Sequence, residues 1–191
     1  MTTAIARRRV KVAMSEQEKF LMLSTSFGYD DCVQVTTETL RPSDMSKEDL
    51  QTCLDLIKEG SAVSVARAKT EFFNAMLVST RRQDGEIVGV GVVKMQRPDY
   101  ASRIASKAEY SFNEKMHEIG YVSVKKECEG HGHCQTILES LLSRFPNRPI
   151  FATTFSDPMK HILPKFGFVR KGKEWTGDCG DDVSLWIKET P

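Results

Sequence analysis

Residues 119–145 read IGYVSVKKECEGHGHCQTILESLLSRF, and the pattern changes twice along them. Ile119–Val124 is short and apolar, the composition of a buried strand. Lys125–Cys134 is polar and contains Gly130 and Gly132, which interrupt any regular element. Beyond it Ile137, Leu138, Leu141, Leu142 and Phe145 recur at helical spacing, with Pro146 just past the end. The order is strand, glycine-bearing loop, helix. At such a junction the first helical N–H groups have no partners inside the helix, and the helix dipole adds partial positive charge to them. Glycines let an anion close on the main chain. The stretch therefore predicts a phosphate cradle made of backbone. It is not a P-loop, because no GxxxxGK[ST] occurs in the chain.

The flanking sequence supplies a sheet for this unit. Residues 30–40 (DDCVQVTTETL) predict a strand ended by Pro42 and Ser43. Ser46 and Asp49 fit a capping box, and Leu50, Cys53, Leu54 and Ile57 carry a helix to Gly60. Residues 61–73 predict a second helix. Met76–Thr80 and Glu86–Met95 predict a hairpin about Asp84-Gly85. Gly89 and Gly91, inside its second strand, point to a bulge or a close backbone approach. Residues 97–116 read as irregular, a loop with a short helix, long enough to face a substrate. Pro149–Phe155 predicts a strand. Ser156 or Asp157 then caps a helix whose stripe is Met159, Ile162, Leu163 and Phe166, stopped by Gly167. Residues 168–175 and 183–188 predict two last strands. Together these elements give an α/β (α+β) fold, a mixed sheet with helices on it.

The segment 119–145 resembles the GNAT superfamily of acyl-CoA-dependent N-acetyltransferases. That family's fingerprint is a strand ending in Val, a loop of roughly R/Q-G-x-G-x-G/A, and a helix with paired leucines. Here Val124 is followed by Lys125–Cys128, then Glu129-Gly130-His131-Gly132-His133-Cys134, with Ile137 and Leu138 beyond. Lys165-Phe166-Gly167-Phe168 matches a second family feature, and the element order matches over residues 30–188. The resemblance implies a mostly antiparallel central sheet of about six to seven strands flanked by helices. It implies one domain over residues 28–191, preceded by an arm over residues 1–27 of unassigned role.

It also implies roles. Main chain of Val122, Ser123 and Val124 would pair with the pantetheine arm of acetyl-CoA, the acyl donor. A backbone N–H near Val124 would hold the oxyanion. Amides of Glu129, Gly130, His131, Gly132, His133 and Cys134 would hold the pyrophosphate. Glu118 stands where some members place a general base, and is otherwise a carboxylate at a strand end. Ser156 would contact the pantetheine or the reaction centre, and is otherwise a helix cap. The acceptor would be an amine-bearing small molecule or protein, attacking directly in a ternary complex. The helices of residues 47–73 and the 97–116 segment would contact it. Homodimers are common in the family.

The chain departs from the pattern at three places. Glu129 replaces Arg or Gln, Cys134 replaces Gly or Ala, and Leu163 stands where many members have a Tyr that protonates the leaving thiolate. No Tyr follows Tyr121, which itself reads as packing, so water, Ser156 or His161 would have to serve. These departures keep open a second reading, a catalytically impaired GNAT-like binding or regulatory protein. His131 and His133 could instead assist phosphate binding by gaining protons. Cys134, at a helix start, could have a lowered pKa. Cys128, His131, His133 and Cys134 are all zinc-capable, but their spacing is too tight for an ordinary structural site, so no metal is expected.

Composition narrows the classes. The 191 residues suffice for a core without staples. Lys+Arg 27 against Asp+Glu 26 argues against a duplex nucleic-acid binder, despite Arg7–Arg9. No apolar run approaches a membrane span, and the N-terminal stretch lacks the apolar core of a signal peptide. Five cysteines, an odd number, then suggest reduced thiols in a cytoplasmic setting.

Overall fold

Asp84 and Gly85 take φ values of 51° and 85°, the positive pair that a tight two-residue hairpin turn needs. β2 (Leu77–Gln83) and β3 (Glu86–Met95) run antiparallel on either side of them. β1 (Val35–Leu40) joins β2, and β4 (His117–Val124) joins β3, both antiparallel. Next to β4 lies β5 (Ile150–Thr154), then β7 (Asp182–Lys188), with β6 (Val169–Thr176) at the edge. The seven strands follow the order β1-β2-β3-β4-β5-β7-β6, and the β4–β5 contact is parallel. This is the mixed, mostly antiparallel sheet expected from the sequence.

The computed structural model describes residues 33–60, 65–95, 97–113 and 115–190. The arm expected over residues 1–27, the start of the 30–40 strand and the first residues of the 61–73 helix lie outside the described residues.

Helices cover both faces of the sheet. α1 (Lys47–Gly60) starts as the capping box predicts, with the Asp49 N–H donating to Ser46 Oγ at 3.0 Å. With α2 (Val65–Phe73) it buries Cys53, Leu56, Ile57, Ala68 and Phe72 against Val78, Ile87, Val90 and Val92. The opposite face receives Ile137, Leu138 and Leu141, which pack with Val93, Ile119, Ile150 and Trp186. β3 lies between these layers, which is why its apolar residues run continuously instead of alternating. Gly91 seats the helix that carries Ile137. A Cβ placed there would stand 2.6 Å from Ile137 Cγ2. The ladder with β4 also slips between Val90 and Val92. Close approach and bulge, the two readings of these glycines, therefore occur together.

The 97–116 segment is more regular than its sequence suggested. α3 (Pro98–Ala108) buries Ala101, Ile104 and Ala108 against a layer containing Phe151, Leu185 and Ile187. Its apolar stripe is mostly alanine, so it contrasts weakly with the Ser and Arg around it. Pro98 opens the helix, where its missing N–H costs nothing. α4 (His133–Ser143) follows the glycine loop. α5 (Asp157–Ile162) runs into a tight turn at Leu163–Phe166, closed by Gly167 at φ 82°. Among the described residues, no helix is long and apolar enough to cross a membrane.

Candidate active site

β4 and β5 pair over two residues only, His117 with Ile150 and Glu118 with Phe151. Beyond them β4 follows β3 as far as Val124, and β5 follows β7 as far as Thr154. The strands part, and a cleft of about 270 Å³ opens between them. The Lys125 N–H bonds to the Val88 carbonyl of β3 at 2.8 Å. Alternation along the strand turns the amide of Val124 the other way, toward the side that β5 has left, and Val122 lines the cleft. Main chain is thus exposed where a strand-like ligand could pair. Ser123 is fixed from behind, its hydroxyl donating to the Leu56 carbonyl of α1 at 2.8 Å. Tyr121, at φ 51°, makes the bulge in β4.

The glycine loop lies at the far end of β4. Gly130 and Gly132 have φ values of 79° and 77°, and a Cβ on either would meet nothing within 4 Å. Gly132 is the N-cap of α4 and supplies no side-chain cap, so the first amides of the helix keep their donors. Glu129 is exposed. A cradle of uncapped amides flanked by open glycines fits a phosphate group.

Two side-chain expectations at this loop are corrected. His133 does not face the loop exterior. It is 6% exposed, and its Nδ1 accepts from Arg81 Nε at 3.3 Å, while Arg81 Nη1 donates to Thr37 Oγ1 at 2.6 Å. Burial and then the Arg81 charge push its pKa down. Only the backbone of His133 can serve an anion, and His131 alone presents an exposed imidazole. Cys134 packs against the core, and burial, reinforced by Glu129, pushes its thiol pKa up. Desolvation outweighs the helix start and favours the protonated thiol.

The vertex of the parted strands is built from buried charge. Glu118 is 5% exposed and lines the cleft. Lys94 of β3 places Nζ 3.4 Å from Glu118 Oε2 and 2.6 Å from Glu71 Oε2. Glu71 also accepts from Arg67 Nε at 2.9 Å and from the Tyr121 hydroxyl at 2.7 Å. The Tyr100 hydroxyl lies 3.0 Å from Thr153 Oγ1 and 3.4 Å from Glu118 Oε1. Burial raises the Glu118 pKa, Lys94 opposes the rise and Glu71 adds to it. Burial would raise Glu71 as well, but hydrogen bonds and charge from Lys94, with Arg67 and Tyr121, hold it at about 2. Burial and then the neighbouring carboxylates raise both phenols, Tyr100 beside Glu118 and Tyr121 beside Glu71.

Of the residues named from sequence, Glu118, Val122 and Ser156 line this one cleft. Ser156 is the N-cap residue of α5, yet its hydroxyl makes no cap bond, so the plain capping role does not hold. His161 turns back to the Asp157 carbonyl at 2.7 Å and does not line the cleft. Leu163 is fully buried in the core. Tyr121 is a member of the charged cluster, because its left-handed φ brings the phenol to Glu71. Glu71, Lys94 and Tyr100 were not singled out from sequence. Lys94 carried a usable signal, as the one charge ending a continuous apolar run in β3.

Neither a protein-family model nor a curated protein sequence matches the chain. Solved structures do. ElaA from Escherichia coli superposes with a TM-score of 0.61 at 14% identity, covering 82% of this chain and 100% of that one. A GNAT-family acetyltransferase from Streptococcus agalactiae gives 0.60 at 15% identity, covering 81% and 96%. The chain has the GNAT fold. FeeM, an N-acyl amino acid synthase from uncultured soil microbes, superposes at 0.59 with 8% identity, covering 82% and 91%. At such identities the likeness is one of fold. Within the GNAT fold, Lys165-Phe166-Gly167-Phe168 closes the turn after α5, with Lys188 Nζ donating to the Phe166 carbonyl at 2.8 Å.

Proposed function

We propose that this protein is an N-acyltransferase that moves an acetyl group from acetyl-CoA to a primary amine by direct attack in a ternary complex. The observation that carries the reading is the parted β4–β5 pair with a buried carboxylate, Glu118, at its vertex. Main chain of Val122–Val124 borders the gap and is suited to pair with the pantetheine arm. The Val124 amide suits the carbonyl oxygen as charge develops on it. Amides of residues 129–134 suit the pyrophosphate.

The amine nitrogen attacks the thioester carbonyl carbon, the C–S bond breaks, and the amine proton passes to Glu118 directly or through one water. Burial makes Glu118 a stronger base than an ordinary carboxylate. A thiol is acidic enough, at a pKa of about 8.5, for its thiolate to leave with little help. Leu163 in place of an acid is compatible with turnover on that ground. Ser156 lines the cleft and is placed to meet the pantetheine. The acceptor would approach from the side bounded by α2 and α3, where Arg67, Tyr100 and Arg103 line the cleft. The setting proposed is cytoplasmic.

Calorimetric titration of acetyl-CoA into the protein, beside the Gly132→Glu variant, tests the donor site. Micromolar binding (Kd about 1 μM corresponds to about −8 kcal/mol) that the variant loses supports the reading, and a panel of amines then tests transfer. Binding without turnover would favour the second reading, a GNAT-fold binding protein, which Glu129 and Leu163 motivate.

A further inference from the structure

One buried ammonium, Lys94, serves two carboxylates unequally. It stands 2.6 Å from Glu71 and 3.4 Å from Glu118. Glu71 is saturated with donors, since Arg67, Tyr121 and Lys94 all reach it within 2.9 Å and Arg97 Nη2 stands at 3.6 Å. Among the described residues Glu118 has only Lys94 and the Tyr100 hydroxyl, each at 3.4 Å. A carboxylate in full contact with a lysine is a poor proton acceptor, because the cation stabilises the charged form. A buried carboxylate with no cation stays protonated. Glu118 sits between these limits, and the distance to Lys94 sets where.

We infer that Glu71 is a positioning residue for Glu118. By drawing Lys94 onto itself, it keeps that cation at a partial distance from Glu118 and so sets the proton affinity of the base. The charged and titratable groups facing the pair come from every neighbouring element: Arg67 and Glu71 from α2, Lys94 from β3, Tyr100 from α3 and Tyr121 from β4. Arg67 and Arg97 hold Glu71 from the far side, so its negative charge persists without Lys94. The value of this arrangement for catalysis rests on the acyl-transfer reading, whereas the arrangement itself can be measured without substrate.

The test is a pH titration of protein labelled with ¹³C at the glutamate carboxyl carbons, followed by NMR, with the Glu118 signal assigned by its loss in Glu118→Gln. In Glu71→Gln, Lys94 is released toward Glu118 and the repulsion from Glu71 disappears. The Glu118 midpoint should fall by about one unit or more. Lys94→Gln should shift it the opposite way. Glu71→Asp keeps the charge but withdraws it by a methylene, so a smaller fall is expected; this variant serves if Glu71→Gln does not fold. A Glu118 midpoint unchanged in both Glu71 variants overturns the inference, as does a rise. Should wild-type protein turn over acetyl-CoA with an amine, the acid limb of kcat/KM should move down in Glu71→Gln with the NMR midpoint. Failure of wild-type turnover would count against the acyl-transfer reading, and the titration would still decide the role of Glu71.

Discussion

The two ends of the β4 cleft are built by opposite means. At the loop end the groups on offer are main-chain amides, presented by open glycines and an uncapped helix. At the vertex they are side chains, held in place by burial and by one another. The loop comes from one continuous stretch. The vertex is assembled from α2, β3, α3 and β4. A backbone site tolerates most side-chain changes but no obstruction. A site of paired charges tolerates little change of any kind, since removing one partner leaves another buried and uncompensated.

The largest effect expected from this contrast is loss of acetyl-CoA binding in Gly132→Glu. A side chain at φ 77° is strained, and its carboxylate sits on the anion cradle. Calorimetry should show no heat of binding, while wild-type affinity in this variant would break the assignment of the loop. Next is Glu118→Gln, which should lower acetyl transfer by roughly 10²–10⁴-fold and leave acetyl-CoA affinity unchanged. Weakened binding instead would mean that the vertex and the loop are not separable.

Acid stability isolates the vertex further. Glu71 is depressed to about 2 from an ordinary 4.5, so its contribution is complete above the ordinary value and is lost as pH falls toward 2. Denaturant midpoints should drop through that window in wild type and less steeply in Glu71→Gln. A smaller effect separates the two histidines. His133→Ala removes the acceptor for Arg81 and should lower Tm without changing acetyl-CoA affinity. His131→Ala, whose ring is exposed beside the loop, should leave Tm alone and weaken acetyl-CoA binding. Smallest is Ser79→Ala in β2. The Ser79 hydroxyl is buried and has no hydrogen-bond partner among the described residues, so chemical denaturation should show unchanged stability or a gain of up to ~1 kcal/mol.

What was legible in the sequence follows the same division. Gly130, Gly132 and the 137–145 stripe are neighbours in the chain, so their spacing showed the strand–loop–helix unit and, through the resemblance, the fold. Glu118 was legible by its place at the start of β4. Its controlling partners were not, because Glu71 and Lys94 are separated by a hairpin and become neighbours only when α2 packs on β3. Tyr100 was hidden by a helix whose buried stripe is largely alanine. His133 was misread because a position beside a glycine loop says nothing about which way the ring turns. Arg81, in another strand, decides that.

Among the described residues, two rungs of parallel ladder are the whole strand-to-strand pairing between β1–β4 and the β5–β7–β6 group. Apart from the Tyr100 hydroxyl, which reaches both Glu118 and Thr153, the contact between these halves is largely apolar, with Val93 and Ile119 on one side packed in the same layer as Ile150, Ala152 and Trp186 on the other. The seam is therefore gripped by the reluctance of water to wet it more than by directional bonds. Such a grip slackens on cooling. Chilling should therefore loosen this seam before it loosens the ladders within either half.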